Sequence, residues 1–396
     1  VEVTVNGGTN QPVVALNYDA RDVAFLQAQA LAATISATFT APVYYNPLQP
    51  DAGNASEDLI VTQVNAGGVI LARDYGAVID QNNGVASTVF GGGQPNQVVL
   101  AGDGGLTFMG AAGNVTVVAG GGNNFIRLGD SSGNDAVYTS TGNDTIHAGA
   151  TNATISAGAG SNLIHGSSGN IAVTSTGNDQ INLGSGTASV TVGAGGSDTI
   201  VGATTYDGSG YNLTFVGGAA ASVIRAGAGS YSITGGAGGG RFRGGLAGNN
   251  SILGGSGAVT IVGGGAGDTL FGGSGGGKIV AGSGNETLGG GGGNTLLVGG
   301  SGNDSMVVGS GAETVRGGMG SDTIQFTSGN GGTGVQDVIR DFTSSDFIHL
   351  AGFDANAVNY ALDTFTVKGG CGYFSLEDGT TVKLVGVTHL NADNFK

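Results

Sequence analysis

The sequence predicts an all-β solenoid, a stack of coils of about eighteen residues, and three observations predict it. Glycine supplies 84 of 396 residues, about three times the usual ~7%. Large apolar residues recur at a nine-residue step through most of the chain. All five prolines (Pro12, Pro42, Pro47, Pro50 and Pro95) fall in the first quarter, so beyond Pro95 every residue has a backbone donor for a ladder. Composition excludes other classes. Collagen needs Gly at about every third position with abundant Pro. Disorder sits badly with 39% hydrophobic residues. Interior Gly costs a helix about 1 kcal/mol relative to Ala. With 28 Asp+Glu against 12 Lys+Arg, a net charge of −16, the chain would repel nucleic acid.

The period justifies the elements in order. Counting by nines from Phe90 lands on Val99, Phe108, Val117 and Ile126, then, after an insertion, on Val137, Ile146, Ile155, Ile164 and Val173. The series slips at Ile181, passes Val190 and slips again at Ile200. An interruption at 202–212 carries Tyr206 and Tyr211, and Phe215, Ile224, Ile233 and Phe242 resume. From Ile252 the run is unbroken through Ile261, Leu270, Ile279, Leu288, Leu297, Met306 and Val315 to Ile324. Each unit reads as a short strand with one large residue inward, then a Gly-rich turn where positive φ and close backbone approach exclude a Cβ. Two units make one coil. About 13 coils follow, roughly 60 Å of stacking at ~4.8 Å per strand.

Three regions follow: 1–85, 86–334 and 335–396. Residues 1–85 read as an α+β cap and assembly region covering the first coil's open edge. A helix from Asp19, its N-cap, to about Phe39 places Val23, Leu26, Ala30 and Ala33 on one face. Strands are expected at Val1–Val5, Val13–Tyr18, Leu59–Val64 and Val69–Ala72. Residues 335–396 lose the period and read as a β cap: strands at Asp337–Phe342 and Asp346–Leu350, then a hairpin of Tyr373–Leu376 and Thr381–Val385 turning at Glu377-Asp378-Gly379.

Two units carry a fuller motif. Gly299-Gly300-Ser301-Gly302-Asn303-Asp304-Ser305-Met306-Val307 and Gly317-Gly318-Met319-Gly320-Ser321-Asp322-Thr323-Ile324-Gln325 both read GGxGxDxUx. This resembles the RTX (hemolysin-type) calcium-binding nonapeptide repeat, which implies a right-handed parallel β-roll or β-helix and several calcium ions. Weaker copies end in Asp135, Asp144, Asp179, Asp198, Asp268, Glu286 and Glu313, whereas Ala153, Ile171, Gly277 and Thr295 take the Asp place elsewhere. The D-x-I-x-D-F…D-x-I-x-L pattern from Asp337 and the closing Val382–Phe395 segment are similar to the C-terminal region of RTX proteins exported by type I secretion. That resemblance implies an uncleaved C-terminal export signal, in keeping with the absence of a signal-peptide pattern at Val1–Val5.

Asp268, Glu286, Asp304 and Asp322 are spaced by eighteen, so they stack along one edge of the roll. Like charges ~4.8 Å apart repel unless a cation lies between them. Calcium suits such a place, with Gly299, Gly302, Gly317 and Gly320 offering backbone carbonyls beside the carboxylates. Asp135, Asp144, Asp179 and Asp198 read as scattered between edges, and solvated turn carboxylates are the plainer alternative for all of these. Asn124, Asn162 and Asn250 take the Asp place with an amide able to close the turn without metal. His147 and His165 are eighteen apart on an outer strand face, open to zinc or proton binding but more simply solvated. Arg225 and Arg243 share that spacing and temper the acidic field. Cys371, the single cysteine, forms no internal disulfide and reads as a strand residue. No nucleophile elbow, H-E-x-x-H helix or phosphate loop occurs.

The expected function is a secreted, calcium-folded structural or adhesive protein of the bacterial surface or matrix, self-associating head to tail into a filament, matrix or S-layer-like array. A cell-surface polysaccharide is a second expected partner; nucleic acid and a transmembrane segment are not expected. The competing class is a secreted enzyme of epimerase, lipase or protease type, or its calcium-dependent secretion fragment. Repeat and cap account for nearly every residue, which favours a non-enzyme.

Overall fold

The computed structural model describes residues 2–6, 13–17, 23–38, 43–45, 59–62, 68–72, 75–93, 95–110, 112–129, 133–150, 152–166, 168–184, 188–192, 198–201, 213–226, 230–246, 248–331 and 333–396. It is an all-β parallel solenoid with about 18 residues per coil. The chain divides into two units, Val1–Ala203 and Thr204–Lys396. Asp19, Phe39, the interruption with Tyr206 and Tyr211, and the far ends of the expected strands at Val1, Tyr18 and Val64 lie outside the described residues.

In the first unit each coil gives one strand to each of two parallel sheets. One sheet runs from Val43–Tyr45 and Leu59–Thr62 through Ala77–Asp80, Asn96–Ala101, Asn114–Ala119, Asn134–Tyr138, Asn152–Ala157 and Ile171–Ser175 to Ala188–Val192. The other runs from Val69–Ala72 through Ser87–Gly91, Leu106–Met109, Phe125–Arg127, Thr145–His147, Leu163–His165 and Gln180–Asn182 to Thr199–Val201. The nine-residue series becomes two inward files: Val99, Val117, Val137, Ile155, Val173 and Val190 face Phe108, Ile126, Ile146, Ile164, Ile181 and Ile200, all buried. Its first member differs. Phe90 is outward and 37% exposed, and Val89 takes the inward place opposite Phe108, because strand alternation counts from the ladder partner. The parallel ladder also runs through strands before residue 86.

The helix spans Val23–Thr38 and lies on the outer side of the first sheet. Ala24, Ala28, Ala32 and Ile35, with Leu16 of the antiparallel pair Glu2–Asn6/Val13–Asn17, pack on Leu59, Val61, Ala77, Ile79, Leu100 and Val118. This reverses the face expected from size: Val23 and Leu26 are exposed, as are Ala30 and Ala33. A stripe of alanines four apart brings the helix axis closer to a sheet than Leu or Val permits, so close packing selects the small face.

The second unit repeats the scheme with less drift. Phe215, Ile233, Ile252, Leu270, Leu288, Met306, Ile324 and Ile348 form one inward file. Ile224, Phe242, Ile261, Ile279, Leu297, Val315, Ile339 and Leu384 form the other. The ladder ends in a small sheet. Thr381–Val385 pairs parallel to Gln336–Ile339 and antiparallel to Cys371–Ser375, which pairs with Thr366–Lys368. A short helix, Ala357–Asp363, absent from the sequence reading, precedes it.

Candidate metal centre

Each acidic repeat residue except Asp135, which lies within the strand Asn134–Tyr138, ends a Gly-rich turn and immediately precedes a ladder strand. Strand register therefore draws these residues into files. In the second unit Thr269, Thr287, Ser305, Thr323 and Phe347 are successive partners, which aligns Asp268, Glu286, Asp304, Asp322 and Asp346, with Asn250 before them. One carboxylate oxygen holds the stack. Asp268 Oδ1 accepts the Asn250 N–H at 2.8 Å, Asp304 Oδ1 that of Glu286 at 2.9 Å, Asp322 Oδ1 that of Asp304 at 2.9 Å, and Asp346 Oδ1 that of Asp322 at 3.0 Å.

The second oxygen of Asp346 accepts from the Thr343 N–H and Oγ1, but along the rest of the file it has no hydrogen-bond partner. Oδ2 of Asp268, Asp304 and Asp322 and both oxygens of Glu286 are buried without one, on side chains no more than 2% exposed. The glycines explain how the carboxylates fit. A Cβ on Gly263 would stand 2.5 Å from Asp268 Oδ2 and 2.7 Å from the Ala281 carbonyl of the next coil. At Gly299 a Cβ would overlap Asp304 Oδ2 and the Gly317 carbonyl, and at Gly317 it would overlap Asp322 Oδ2. Carboxylate oxygens, and at Gly263 and Gly299 carbonyl oxygens of the next coil, thus lie over a bare Cα. Gly302 and Gly320 serve differently: at φ 127° and 131° they reverse the turn, and a Cβ would strike the equivalent turn one coil away.

Burial of unpaired carboxylates raises their pKa. Glu286 is pushed up to about 7, first by burial and then by Asp304 and Asp268. Asp322 rises to about 6, by burial first, with Asp304, Asp346 and Asp341 adding to it. Burial also raises Asp268. A cation removes the penalty, and carboxylate plus carbonyl oxygens are the donor set a hard cation such as calcium takes. Among the described residues no three His, Cys, Asp or Glu side chains converge; the oxygens that could hold an ion here are the carboxylates and the backbone carbonyls beside them, such as those of Ala281 and Gly317.

The opposite edge of the second unit carries Glu313, whose N–H donates to Asp337 Oδ1 at 2.8 Å and whose own carboxylate oxygens are buried without a partner. Burial and the mutual repulsion of this pair raise Glu313 strongly. In the first unit, Asp144, Asp179 and Asp198 are not scattered: with Asn124 and Asn162 they form one file before Phe125, Thr145, Leu163, Gln180 and Thr199. Steps of 17 and 19 residues between partners hide the file in sequence. Asp144 and Asp198 each keep an unpartnered buried Oδ2, and burial raises Asp198 to about 6. Asp179 does not: Ser175 Oγ donates to its Oδ2 at 2.5 Å. Asp135 lies on the other edge, where its Oδ1 accepts the Val115 N–H at 2.8 Å.

Asp337, Asp341 and Asp346 escaped the sequence reading as site residues. Gly317 donates to Asp341 Oδ1 at 3.0 Å. A 24-residue step conceals all three, although Asp346-Phe347-Ile348 repeats the Asp-x-apolar signal of Asp322-Thr323-Ile324. His147 and His165 stack, with ring centroids 4.6 Å apart and planes 10° from parallel, beside Phe125 and Arg127 in a surface groove of the first unit. Burial, His165 and Arg127 lower the His147 pKa. Arg225 and Arg243 are ladder partners.

Fold and site define a class, a parallel β-solenoid whose turns stack buried carboxylates in files. The family model described as RTX calcium-binding nonapeptide repeat (4 copies) matches residues 101–131, 130–164, 147–170, 244–279 and 289–324. The chain carries RTX calcium-binding nonapeptide repeats. No curated protein matches it. Among solved structures it is similar to the extracellular lipase LipA from Serratia marcescens at 15% identity and a TM-score of 0.20, over 62% of this chain and 44% of that one. The chain thus spans less than half the length of that lipase.

Proposed function

We propose that this chain is a secreted structural or adhesive protein that folds on calcium outside the cell and then associates with copies of itself. The observation that carries the calcium step is the set of buried, unpartnered oxygens on Asp268, Glu286, Asp304 and Asp322. Without a cation these groups must be protonated or repel one another, so the carboxylate files oppose folding where calcium is scarce. Where calcium is abundant, binding restricted to the folded coils stabilises them. Such a chain stays unfolded for export and folds on arrival, as the RTX repeat suggests.

Self-association draws on the ends. The antiparallel pair Glu2–Asn6/Val13–Asn17 and the strand Thr366–Lys368 each have one edge without a ladder partner among the described residues, and Val367 is 50% exposed. Pairing one chain's first strands with another's last sheet is heterologous and grows an open filament or array unless it closes a ring. A cell-surface polysaccharide remains the second proposed partner. No helix among the described residues is long and apolar enough to cross a membrane.

Calcium titration followed by circular dichroism, with mass measured in the same samples, tests the proposal. Conversion to β structure at submillimolar to millimolar calcium, followed by growth of mass with protein concentration, is expected. A chain fully folded in strong chelator refutes the calcium step. A monodisperse ~38 kDa species across concentrations refutes assembly, which mass action must drive.

A further inference from the structure

Not every turn in these files carries an acid, and four of the exceptions, three Asn and one Thr, turn a side-chain donor to a carbonyl of the turn. Asn250 occupies the Asp place. Its Nδ2 donates to the Gly245 carbonyl at 2.9 Å and to Asp268 Oδ1 at 2.8 Å. A Cβ on Gly244 would meet Asn250 Nδ2 at 2.9 Å and the Gly263 carbonyl of the next coil at 3.0 Å. One coil on, the same position over Gly263 is shared by Asp268 Oδ2 and the Ala281 carbonyl. The amide nitrogen therefore stands over Gly244 as the orphan carboxylate oxygen stands over Gly263, but with acceptors already in place, Gly245 O and Asp268 Oδ1. Asn124 repeats the arrangement, with Nδ2 3.3 Å from the carbonyls of Gly120 and Gly122. Asn162 Nδ2 donates to Gly158 O at 3.1 Å. On the opposite edge of the second unit Thr295 Oγ1 lies 3.0 Å from Gly290 O and 2.9 Å from Gly293 O, sharing its one proton between them.

We propose that Asn124, Asn162, Asn250 and Thr295 are built-in stand-ins for the cation, making their turns calcium-independent. Two acceptors facing each other need a positive charge between them, whereas a donor facing an acceptor closes the turn by itself. These turns are then closed before any ion arrives. Asn250 and Asn124 also hold the first carboxylate of the adjoining turn, since Asn124 Nδ2 donates to Asp144 Oδ1 at 2.9 Å. Each offers a formed coil on which the neighbouring calcium turn assembles. The inference rests on the calcium reading above and extends it to which turns the ion leaves empty.

The test counts calcium per chain by equilibrium dialysis and metal analysis, for the full chain and two variants. Asp268→Asn lowers the count by one. Asn250→Asp raises it by one, and its folding requires more calcium. An unchanged count in Asp268→Asn overturns the calcium reading itself. A lowered count there, with no rise in Asn250→Asp, overturns the stand-in role and leaves the calcium reading in place. Should Asn250→Asp not fold, hydrogen exchange on the unmodified chain in chelator decides. The Gly245 amide, which donates to Asn250 Oδ1 at 3.0 Å, is expected to exchange at least about tenfold more slowly than the amides of Glu286 and Asp304, a difference of about 1.4 kcal/mol in opening. Equal exchange overturns the proposal.

Discussion

Replacing Asp304 by Asn should stabilise the protein in chelator and destabilise it in calcium. Asp304 lies between Glu286 and Asp322, one coil away on either side. At ~4.8 Å and an effective dielectric of ~20, two carboxylates repel by about 3.5 kcal/mol, so two ionised neighbours impose about 7 kcal/mol before proton uptake relieves part of it. The Asn side chain keeps the Oδ1 acceptor for the Glu286 N–H, removes the charge and supplies a donor toward the Gly317 carbonyl. In chelator we expect a gain of about 1–3 kcal/mol, since protonation has already absorbed much of the repulsion. In millimolar calcium the same change deletes a charged ligand, and stability should fall by a similar amount. Asp144→Asn is the control: Asn124 and Asn162 flank Asp144, so its gain in chelator should be much smaller. The β signal of both variants in chelator without denaturant, and their urea unfolding in calcium, read out the comparison with the unmodified chain. A loss of stability for Asp304→Asn in chelator, or equal gains for the two variants, would refute repulsion within a continuous file.

Calcium-free stability should depend on pH with an unusual sign. Folded-state pKa values raised above the unfolded ones, to about 6 for Asp198 and Asp322 and about 7 for Glu286, mean that the folded chain binds more protons. Stability is then greatest near pH 4 and falls as pH rises toward about 7; the β signal in chelator followed against pH checks this, and a flat profile contradicts it, while saturating calcium should flatten the curve. Gly317→Ala places a methyl against Asp322 Oδ2 and should weaken calcium binding while costing about 1–3 kcal/mol of stability, the usual range for overpacking. Calorimetric titration showing unchanged affinity would remove Gly317 from the site.

The sequence alone determined the coil. A nine-residue apolar step with glycine between strands leaves one economical way to bury Ile261, Leu270, Ile279 and Leu288 in facing files, because period two within a strand and a turn at each end repeat without remainder. The file from Asp268 to Asp322 was legible for the same reason: equal spacing in sequence becomes vertical alignment in the ladder. Where the step changes, only the tertiary structure decided. Insertions and deletions in the turns shift spacing without shifting register, since backbone hydrogen bonds and inward packing fix the partners while turns absorb length. Asp144, Asp179 and Asp198 therefore joined one file, and Asp337, Asp341 and Asp346 entered the site across 24-residue steps. The helix face belonged to the structure too, because approach distance to a sheet depends on the partner surface and not on the hydrophobicity of the helix. So did the distinction among acids: Asp179 and Asp304 occupy the same motif position, and only the neighbouring Ser175 hydroxyl settles which of them has an oxygen left for a cation.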